Sequence, residues 1–248
     1  MPGFAFMIEN FSLVIPLFNE EENIERVIEE LYLELIKLSI NFEIILVDDG
    51  STENTVPKVQ KLLQKLNINL QIIRNSKNRG QSYSINKGII SSKYKSIVTL
   101  DGDGQNDPKD IKHLINVYNP KQNIHLVSGI RTKRRDSYVK KLSSLIANEI
   151  RKRYLNDSCS DTGCALKIFN KEIYENLIYF NGIHRFLPAL FLSKNSKNIY
   201  IPVNHRNRTK GKSKYGISNR LINGLFDMYK VKKMMKINKG NTYNRNEN

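Results

Sequence analysis

The 248-residue sequence contains no tryptophan, only two cysteines, seven prolines and 13 glycines. Two cysteines cannot build a disulfide scaffold, and so little glycine and proline excludes a collagen-like or low-complexity chain. No apolar run approaches the ~18–20 residues that a membrane-spanning helix needs. The apolar segment 4–8 is too short for a signal-peptide core, and no basic region precedes it. We therefore expect an intracellular protein in which Cys159 and Cys164 are free thiols.

Acidic residues are scarce in the second half of the chain. Overall, 40 Lys and Arg residues oppose 24 Asp and Glu residues, which gives a formal net charge of +16. Residues 1–130 hold 14 basic and 16 acidic side chains, whereas residues 131–248 hold 26 basic and 8 acidic ones. This asymmetry predicts a polyanionic partner for the second half: nucleic acid, an anionic membrane surface or a phosphorylated substrate.

Short apolar runs alternate with helical patterns through the first 130 residues. Runs typical of buried strands occur at 11–15, 42–47, 70–73, 96–100 and 125–128. A helical apolar stripe follows the first run, and we predict Asn19 as its N-cap with Glu22 as the capping-box partner. Further helices are expected near 55–66, over 85–90 and after Pro108. Strands separated by helices predict an α/β fold with a parallel, layered sheet.

Polar clusters follow three of the predicted strands, at 16–20, 48–52 and 101–107. Ligands of such sheets bind beyond the carboxyl ends of the strands, so these clusters predict one site. Asp101 and Asp103 can hold a hard divalent cation against a diphosphate, with the small residue between them leaving room for a ligand. The alternative is an acidic turn that caps a helix. An EF-hand is excluded because no Glu stands at the twelfth position from Asp101.

The second half contains basic segments in place of this strand pattern. Residues 204–220 form a Gly-containing basic loop with no acidic residue. Residues 138–150 and 221–236 combine large apolar side chains on one side with Lys on the other, which is typical of helices that lie in a membrane interface. The rival interpretation is that the second stretch packs on the α/β core or on a small membrane partner.

These patterns predict three regions along the chain. We expect a catalytic domain over 1–220, an amphipathic membrane- or partner-docking helix over 221–237, and a disordered, Asn-rich tail over 238–248.

Several motifs together resemble glycosyltransferase family 2. The first three are Ile15–Glu20, Val47–Ser51 and Asp101–Gln105, and the likeness continues through Gly129–Arg131, Asp161–Lys167, His184–Pro188 and Arg208–Tyr215. In this order they are most similar to the polyprenyl-phosphate branch, of which dolichyl-phosphate mannose synthase is typical. The resemblance covers about residues 10–235 and implies the nucleotide-sugar-binding α/β fold called GT-A, with helices on both faces of the sheet and basic amphipathic helices at the carboxyl end.

The resemblance implies roles for residues on the donor side of the site. The nucleoside would be bound by Pro16, Phe18, Glu20, Val47 and Asp49. Mg²⁺ or Mn²⁺ would be surrounded by Asp101, Asp103 and Gln105, with Gly102 also facing the nucleotide sugar. A basic loop with Arg208, Ser213 and Lys214 would close over the diphosphate and exclude water.

The resemblance also implies residues on the acceptor side. Arg131, Lys140 and Ser144 match the positions that hold the acceptor phosphate; an Arg is common where this chain has Lys140. Asp161 would orient the acceptor or a basic partner, which makes Asp101, Asp103, Arg131 and Asp161 the candidate catalytic residues. A phosphate acceptor is already ionised and needs no general base, and a single in-line displacement would invert the anomeric centre.

Three functions remain open from the sequence. The first is an inverting, metal-dependent transferase that moves a sugar from a GDP- or UDP-sugar to a polyprenyl phosphate, on the cytoplasmic face of a membrane. The second is a family relative that glycosylates a hydroxyl group of a polysaccharide. The third is a nucleic-acid-binding protein, which we disfavour because the basic segments lack interleaved aromatic residues for stacking on bases.

Overall fold

The computed structural model describes residues 6–66, 68–132, 148–208 and 218–243. Seven strands form one sheet: β1 Asn10–Leu17, β2 Asn41–Asp48, β3 Leu70–Arg74, β4 Ser96–Thr99, β5 Ile124–Arg131, β6 Lys167–Asn170 and β7 Lys197–Val203. The helices are α1 Ile24–Leu35, α2 Thr55–Leu63, α3 Gln81–Ser91, α4 Asp110–Val117, α5 over 148–155, α6 Lys171–Glu175, α7 Leu187–Leu192 and α8 Ser218–Tyr243.

The strand order is β3-β2-β1-β4-β6-β5-β7, and only β6 runs antiparallel to its neighbours. Alternate side chains of the buried strands therefore reach two separate cores. One core joins the sheet to α1, α2 and α4, and the other joins it to α3, α7 and α8. This confirms the predicted layered sheet with helices on both faces, whereas the expectation of a parallel sheet is wrong for β6.

The antiparallel direction of β6 decides what lies at the functional edge of the sheet. The carboxyl ends of β1, β2 and β4 meet at one edge because these strands are parallel. Since β6 pairs with β4 in the opposite direction, its first residue, Lys167, lies opposite Thr99 at that same edge. The loop 161–166 that precedes β6 is thereby brought to the site.

The predicted N-cap is wrong. Helix α1 begins at Ile24, and Asn19 lies in the preceding turn with a left-handed φ of 54°. Its side-chain carbonyl accepts a hydrogen bond from the Thr52 backbone N–H at 2.8 Å, and its own N–H donates to the Ser51 hydroxyl. Asn19 therefore ties the loop after β1 to the loop after β2, and this tertiary use replaces the local cap.

Helix α8 packs on the second core through Val231 and Met235, which are both buried. It runs through residue 243 and so passes the boundary at 237 predicted for the docking helix; residues 244–248 lie outside the described part of the chain. Of the other predicted interfacial stretch, only 148–150 is described, at the start of α5.

A prediction follows from the close contact of α3 with the sheet. A Cβ on Gly88 would come within 2.5 Å of a Val14 methyl and 3.0 Å of a Val47 methyl, whereas a Cβ on Gly224 of α8 would meet nothing within 4 Å. Gly88→Ala should lower the free energy of unfolding by ~1–3 kcal/mol because it overpacks the core. Gly224→Ala should leave it unchanged or raise it by up to ~1 kcal/mol. Equal effects in urea titrations would contradict this contact.

Candidate active site

The loop after β2 frames an open cleft of about 500 Å³, lined by Gly50, Ser51, Thr52, Arg74, Asn75 and Ser76. Beside it, the buried Asp49 accepts hydrogen bonds from the Arg79 and Gly80 backbone N–H groups at 2.9 and 2.8 Å, and from the Asn75 amide. The Asp49 carboxylate thus holds the loop between β3 and α3 in place. That Asp49 also accepts a hydrogen bond from a nucleoside base stays a prediction.

The other residues predicted to bind the nucleoside differ in their exposure. Pro16 and Phe18 are half-buried at the end of β1. The Val47 side chain is fully buried in the second core, where it faces α3, so only its backbone remains to face a ligand. Glu20 is buried and forms an ion pair with Arg208, whose side chain was predicted to contact the diphosphate.

Asp101 and Asp103 lie in the turn directly after β4, where Gln105 donates its backbone N–H to Asp103 at 3.0 Å. Burial of the Asp101 carboxyl group and, second, the negative charge of Asp103 raise the pKa of Asp101 to about 7. The positive charges of Lys167 and Arg131 act in the opposite direction. Keeping both carboxyl groups ionised here therefore costs free energy, and a bound cation would reduce that cost.

Gly102 between the two carboxylates has a packing role. A Cβ at this position would lie 2.1 Å from a methyl of the buried Leu17 and 3.4 Å from the Pro16 carbonyl oxygen. The side of Gly102 that a side chain would occupy therefore faces β1. The absence of a side chain lets the turn pack against that strand.

The first turn of α3 connects three parts of the site. The Gly80 N–H binds Asp49, the Gln81 amide donates to an Asp101 carboxylate oxygen at 2.7 Å, and the Ser82 hydroxyl accepts from the Gly182 N–H at 2.7 Å. Since that acceptance leaves the Ser82 proton free to donate, its 2.6 Å contact with His184 Nδ1 favours the tautomer with the proton on Nε2. The Gly80–Ser82 turn therefore fixes the position of Asp101 relative to both neighbouring loops.

Arg131 and Asp161 form a bidentate ion pair, and the charge of Arg131 acts on the nearby Asp101 carboxylate. Arg131 Nε and Nη2 each donate to a different Asp161 oxygen at 2.7 Å, and both side chains are largely buried. Gly163 lies directly beneath this pair, because a Cβ there would come within 2.9 Å of Arg131 Nη2. The pair agrees with the expectation that Asp161 orients a basic partner.

The described part of the basic loop is anchored through Arg206 and Arg208. Arg206 bridges Glu30 of α1 and Asp107 at 2.5 and 2.8 Å, and its backbone N–H donates to the Gln105 carbonyl. His205 Nε2 lies 3.4 Å from the Gln105 side-chain nitrogen. Four of the predicted site residues lie outside the described part of the chain: Lys140, Ser144, Ser213 and Lys214.

Sequence reasoning missed Gln81, Ser82 and Lys167 as residues of the site, and gave His205 no role. Gln81 and Ser82 follow the Asn78–Gly80 turn. Two polar residues at the start of a helix that follows a predicted strand are the sequence signal that could have identified them as site residues. Cys159 and Cys164 are buried free thiols. Burial raises the pKa of Cys159 to about 11, so it stays protonated and serves packing.

Comparison with known proteins shows which family the chain belongs to. The sequence model described as "Glycosyl transferase family 2" matches residues 12–178. The chain belongs to glycosyl transferase family 2. Solved structures support the GT-A fold: a glucosyl-3-phosphoglycerate synthase from Mycobacterium tuberculosis superposes with a TM-score of 0.66 over 89% of this chain and 79% of its own, at 15% identity. The mannosyltransferase PcManGT from Pyrobaculum calidifontis gives 0.59 over 82% and 58%, at 17% identity.

Two curated family members share more sequence with the chain. The dodecaprenyl-phosphate galacturonate synthase of Rhizobium johnstonii is 34% identical over 223 residues, which cover 89% of this chain and 65% of the relative. The undecaprenyl-phosphate 4-deoxy-4-formamido-L-arabinose transferase of Edwardsiella ictaluri is 30% identical over 89% of this chain and 67% of its own length. The chain thus spans about two thirds of these relatives.

The Arg131–Asp161 pair generates a stability prediction. Asp161→Asn should lower the free energy of unfolding by ~3 kcal/mol, because it leaves the buried Arg131 guanidinium without a countercharge. Glu172→Gln serves as the control, since it breaks the exposed Lys95–Glu172 pair and should change stability little. Urea unfolding of both variants measures the difference. A similar, small loss in both would mean that the Arg131 pair is as solvated as the surface pair.

Proposed function

We propose that this chain is an inverting, metal-dependent glycosyltransferase that moves a sugar from a GDP- or UDP-sugar to a polyprenyl phosphate. The observation that carries the proposal is the juxtaposition of two sites at one sheet edge: the Asp101–Asp103 carboxylates and the Arg131–Asp161 pair. The first suits a cation-bound diphosphate, and the second presents a guanidinium to an anionic acceptor. Both curated relatives are named for sugar transfer to a polyprenyl phosphate, which supports the acceptor class.

The residues present fit a divalent cation in their chemistry. Asp101 and Asp103 offer hard oxygen ligands, and burial together with the negative charge of Asp103 raises the pKa of Asp101. Within the described ranges, no group of three His, Cys, Asp or Glu side chains could hold an ion, so donor phosphate oxygens would complete the coordination. Gln105 is the third protein ligand that we propose. Mn²⁺ or Mg²⁺ accompanies the nucleotide in several structural relatives. Such an ion stabilises the charge that develops on a leaving nucleotide.

The side chains of the protein have to bind and orient the reactants in this reaction, but they do not have to transfer a proton. The acceptor phosphate is ionised at neutral pH, so no side chain has to remove a proton from it. Arg131 binds and orients it, while Asp161 holds the guanidinium in one position. Gln81 holds Asp101, and Arg206 and Arg208 anchor the described part of the basic loop to α1 and the turns beside the site.

We further propose that α8 binds the cytoplasmic face of an anionic membrane. Among the described residues, no helix has the length and apolarity needed to span a bilayer. The face of α8 opposite Val231 and Met235 exposes two large aromatic side chains, Phe226 at 72% and Tyr229 at 68%. The same face holds exposed Lys230, Lys233, Lys236 and Ile237. Apolar side chains flanked by Lys suit an interface of anionic headgroups. A small integral membrane protein would be the alternative partner; nucleic acid is not expected.

The transfer reaction gives the direct test of function. Incubation with undecaprenyl phosphate and a panel of radiolabelled GDP- and UDP-sugars, followed by organic extraction, should place label in the lipid phase. Asp103→Asn should abolish transfer and also the rise in melting temperature that Mn²⁺ plus GDP or UDP gives the wild type, because an amide is a poor ligand for a hard cation. Activity that persists in EDTA would contradict the role of Asp103. Label on a soluble polysaccharide alone would favour a hydroxyl acceptor.

Membrane binding is tested separately by liposome flotation. Binding should increase with anionic lipid and decrease with salt, and replacing Lys230, Lys233 and Lys236 by Gln should weaken it. Lys232 is retained because it donates to the Tyr154 carbonyl at 2.6 Å.

The matched control for flotation replaces Lys37, Lys61 and Lys65, exposed residues of the first half, and changes the net charge equally. Equal loss of binding in both variants would exclude a specific α8 surface. Failure of the wild type to float on any lipid mixture would mean that docking needs a protein partner or that the acceptor is soluble.

A further inference from the structure

Lys167 is a buried cation that the proposed reaction does not use. It is the first residue of β6 and is only 3% exposed. Its ammonium group donates to the Cys164 carbonyl and lies 3.5 Å from the Thr162 carbonyl oxygen. Among the described residues, it forms no ion pair with a carboxylate within 4 Å. A buried ammonium is costly, so these carbonyl dipoles must offset its desolvation.

The position of Lys167 in the sheet puts it between both halves of the site. It lies opposite Thr99 of β4 on one side and Ser128 of β5 on the other. Asp101 follows Thr99 by two residues, and Arg131 follows Ser128 by three. The charge of Lys167 acts on Asp101, where it favours the ionised carboxylate.

The carbonyls that Lys167 binds belong to the loop 161–166, which also holds Arg131. The same loop is fixed by the Thr99 hydroxyl, which donates to the Ala165 carbonyl at 2.7 Å, and by the Gly129 N–H, which donates to Leu166. Asp161 at its start makes the two hydrogen bonds to Arg131. A shift of this loop would therefore move Asp161 and, with it, the Arg131 guanidinium.

We propose that Lys167 is a positioning residue for the acceptor side of the site. By binding the 162 and 164 carbonyls it fixes the loop 161–166, and through Asp161 it sets the orientation of Arg131. This inference rests on the proposed function only where it assigns Arg131 to the acceptor phosphate. The loop-fixing part stands on the contacts alone.

Three variants separate this role from general stability. Lys167→Met removes both the charge and the carbonyl contacts. Thr99→Val removes another hydrogen bond to the same loop without a change of charge. Lys171→Met is the control, because Lys171 also donates to backbone carbonyls, of Ser92 at 2.6 Å and Ile90, but at the opposite end of β6.

Hydrogen exchange of the peptide containing 161–166 is the first measurement. Lys167→Met should speed exchange there about tenfold, since it removes a charged donor to two carbonyls. Thr99→Val should produce a smaller acceleration in the same peptide, and Lys171→Met none. Unchanged exchange in both Lys167→Met and Thr99→Val would overturn the proposal. Should Lys167→Met fail to fold, Thr99→Val alone decides this point.

Kinetics with undecaprenyl phosphate provide the second measurement. The KM for this acceptor should rise about tenfold in Lys167→Met and about threefold in Thr99→Val, while binding of Mn²⁺ and nucleotide to Thr99→Val, measured by calorimetry, stays at the wild-type value. An unchanged acceptor KM, or an equal rise in Lys171→Met, would overturn the positioning role. Absence of transfer by the wild type itself would instead refute the proposed acceptor, and hydrogen exchange would still test the loop.

Discussion

The burial of the Asp101 carboxyl group beside a second carboxylate, Asp103, is the constraint on which the rest of the site depends. Burial and, second, the negative charge of Asp103 make ionisation of Asp101 costly, and both raise its pKa to about 7. The neighbouring elements each offset part of this cost: α3 supplies the Gln81 hydrogen bond, β5 supplies Arg131 and β6 supplies Lys167. The remaining negative charge is the feature of this sheet edge on which the proposed cation site rests.

One reversed strand makes this arrangement possible. Were β6 parallel to β4, its first residue would lie at the opposite edge of the sheet, and the loop before it would be far from Asp101. The antiparallel pairing of Lys167 with Thr99 brings the loop 161–166 beside the carboxylates. Arg131 at the end of β5 then meets Asp161, which lies 30 positions later in the loop before β6. Topology thus places the Arg131 guanidinium near the Asp101 carboxylate.

The parts of the structure that sequence analysis predicted are those set by local pattern. Apolar runs separated by helical patterns predicted β1 to β5, whereas β6 and β7, which lie in the basic second half, were missed. The Asp101–Asp103 pair lies directly after β4, as its position in the sequence predicted. The parts that it missed depend on contacts between distant residues. Asn19 binds Thr52 instead of capping α1, and Ser82 contacts His184, 102 positions away. Glu20 meets Arg208 across 188 positions. No local periodicity encodes such pairs.

The excess of positive charge in the second half serves two different purposes. Some of its cations serve the fold itself. Arg151 pairs with Asp157 in the interior, and Arg206 joins Glu30 of α1 to Asp107 in the loop before α4. Others, such as Lys233 and Lys236, are exposed on α8 beside exposed aromatic side chains. A buried ion pair is set by the fold, whereas the exposed aromatic rings of Phe226 and Tyr229 leave apolar surface in water unless a partner surface covers them. The net charge alone therefore overstates the surface available to a polyanion, and among the described residues of the second half the exposed face of α8 combines Lys side chains with exposed aromatic rings.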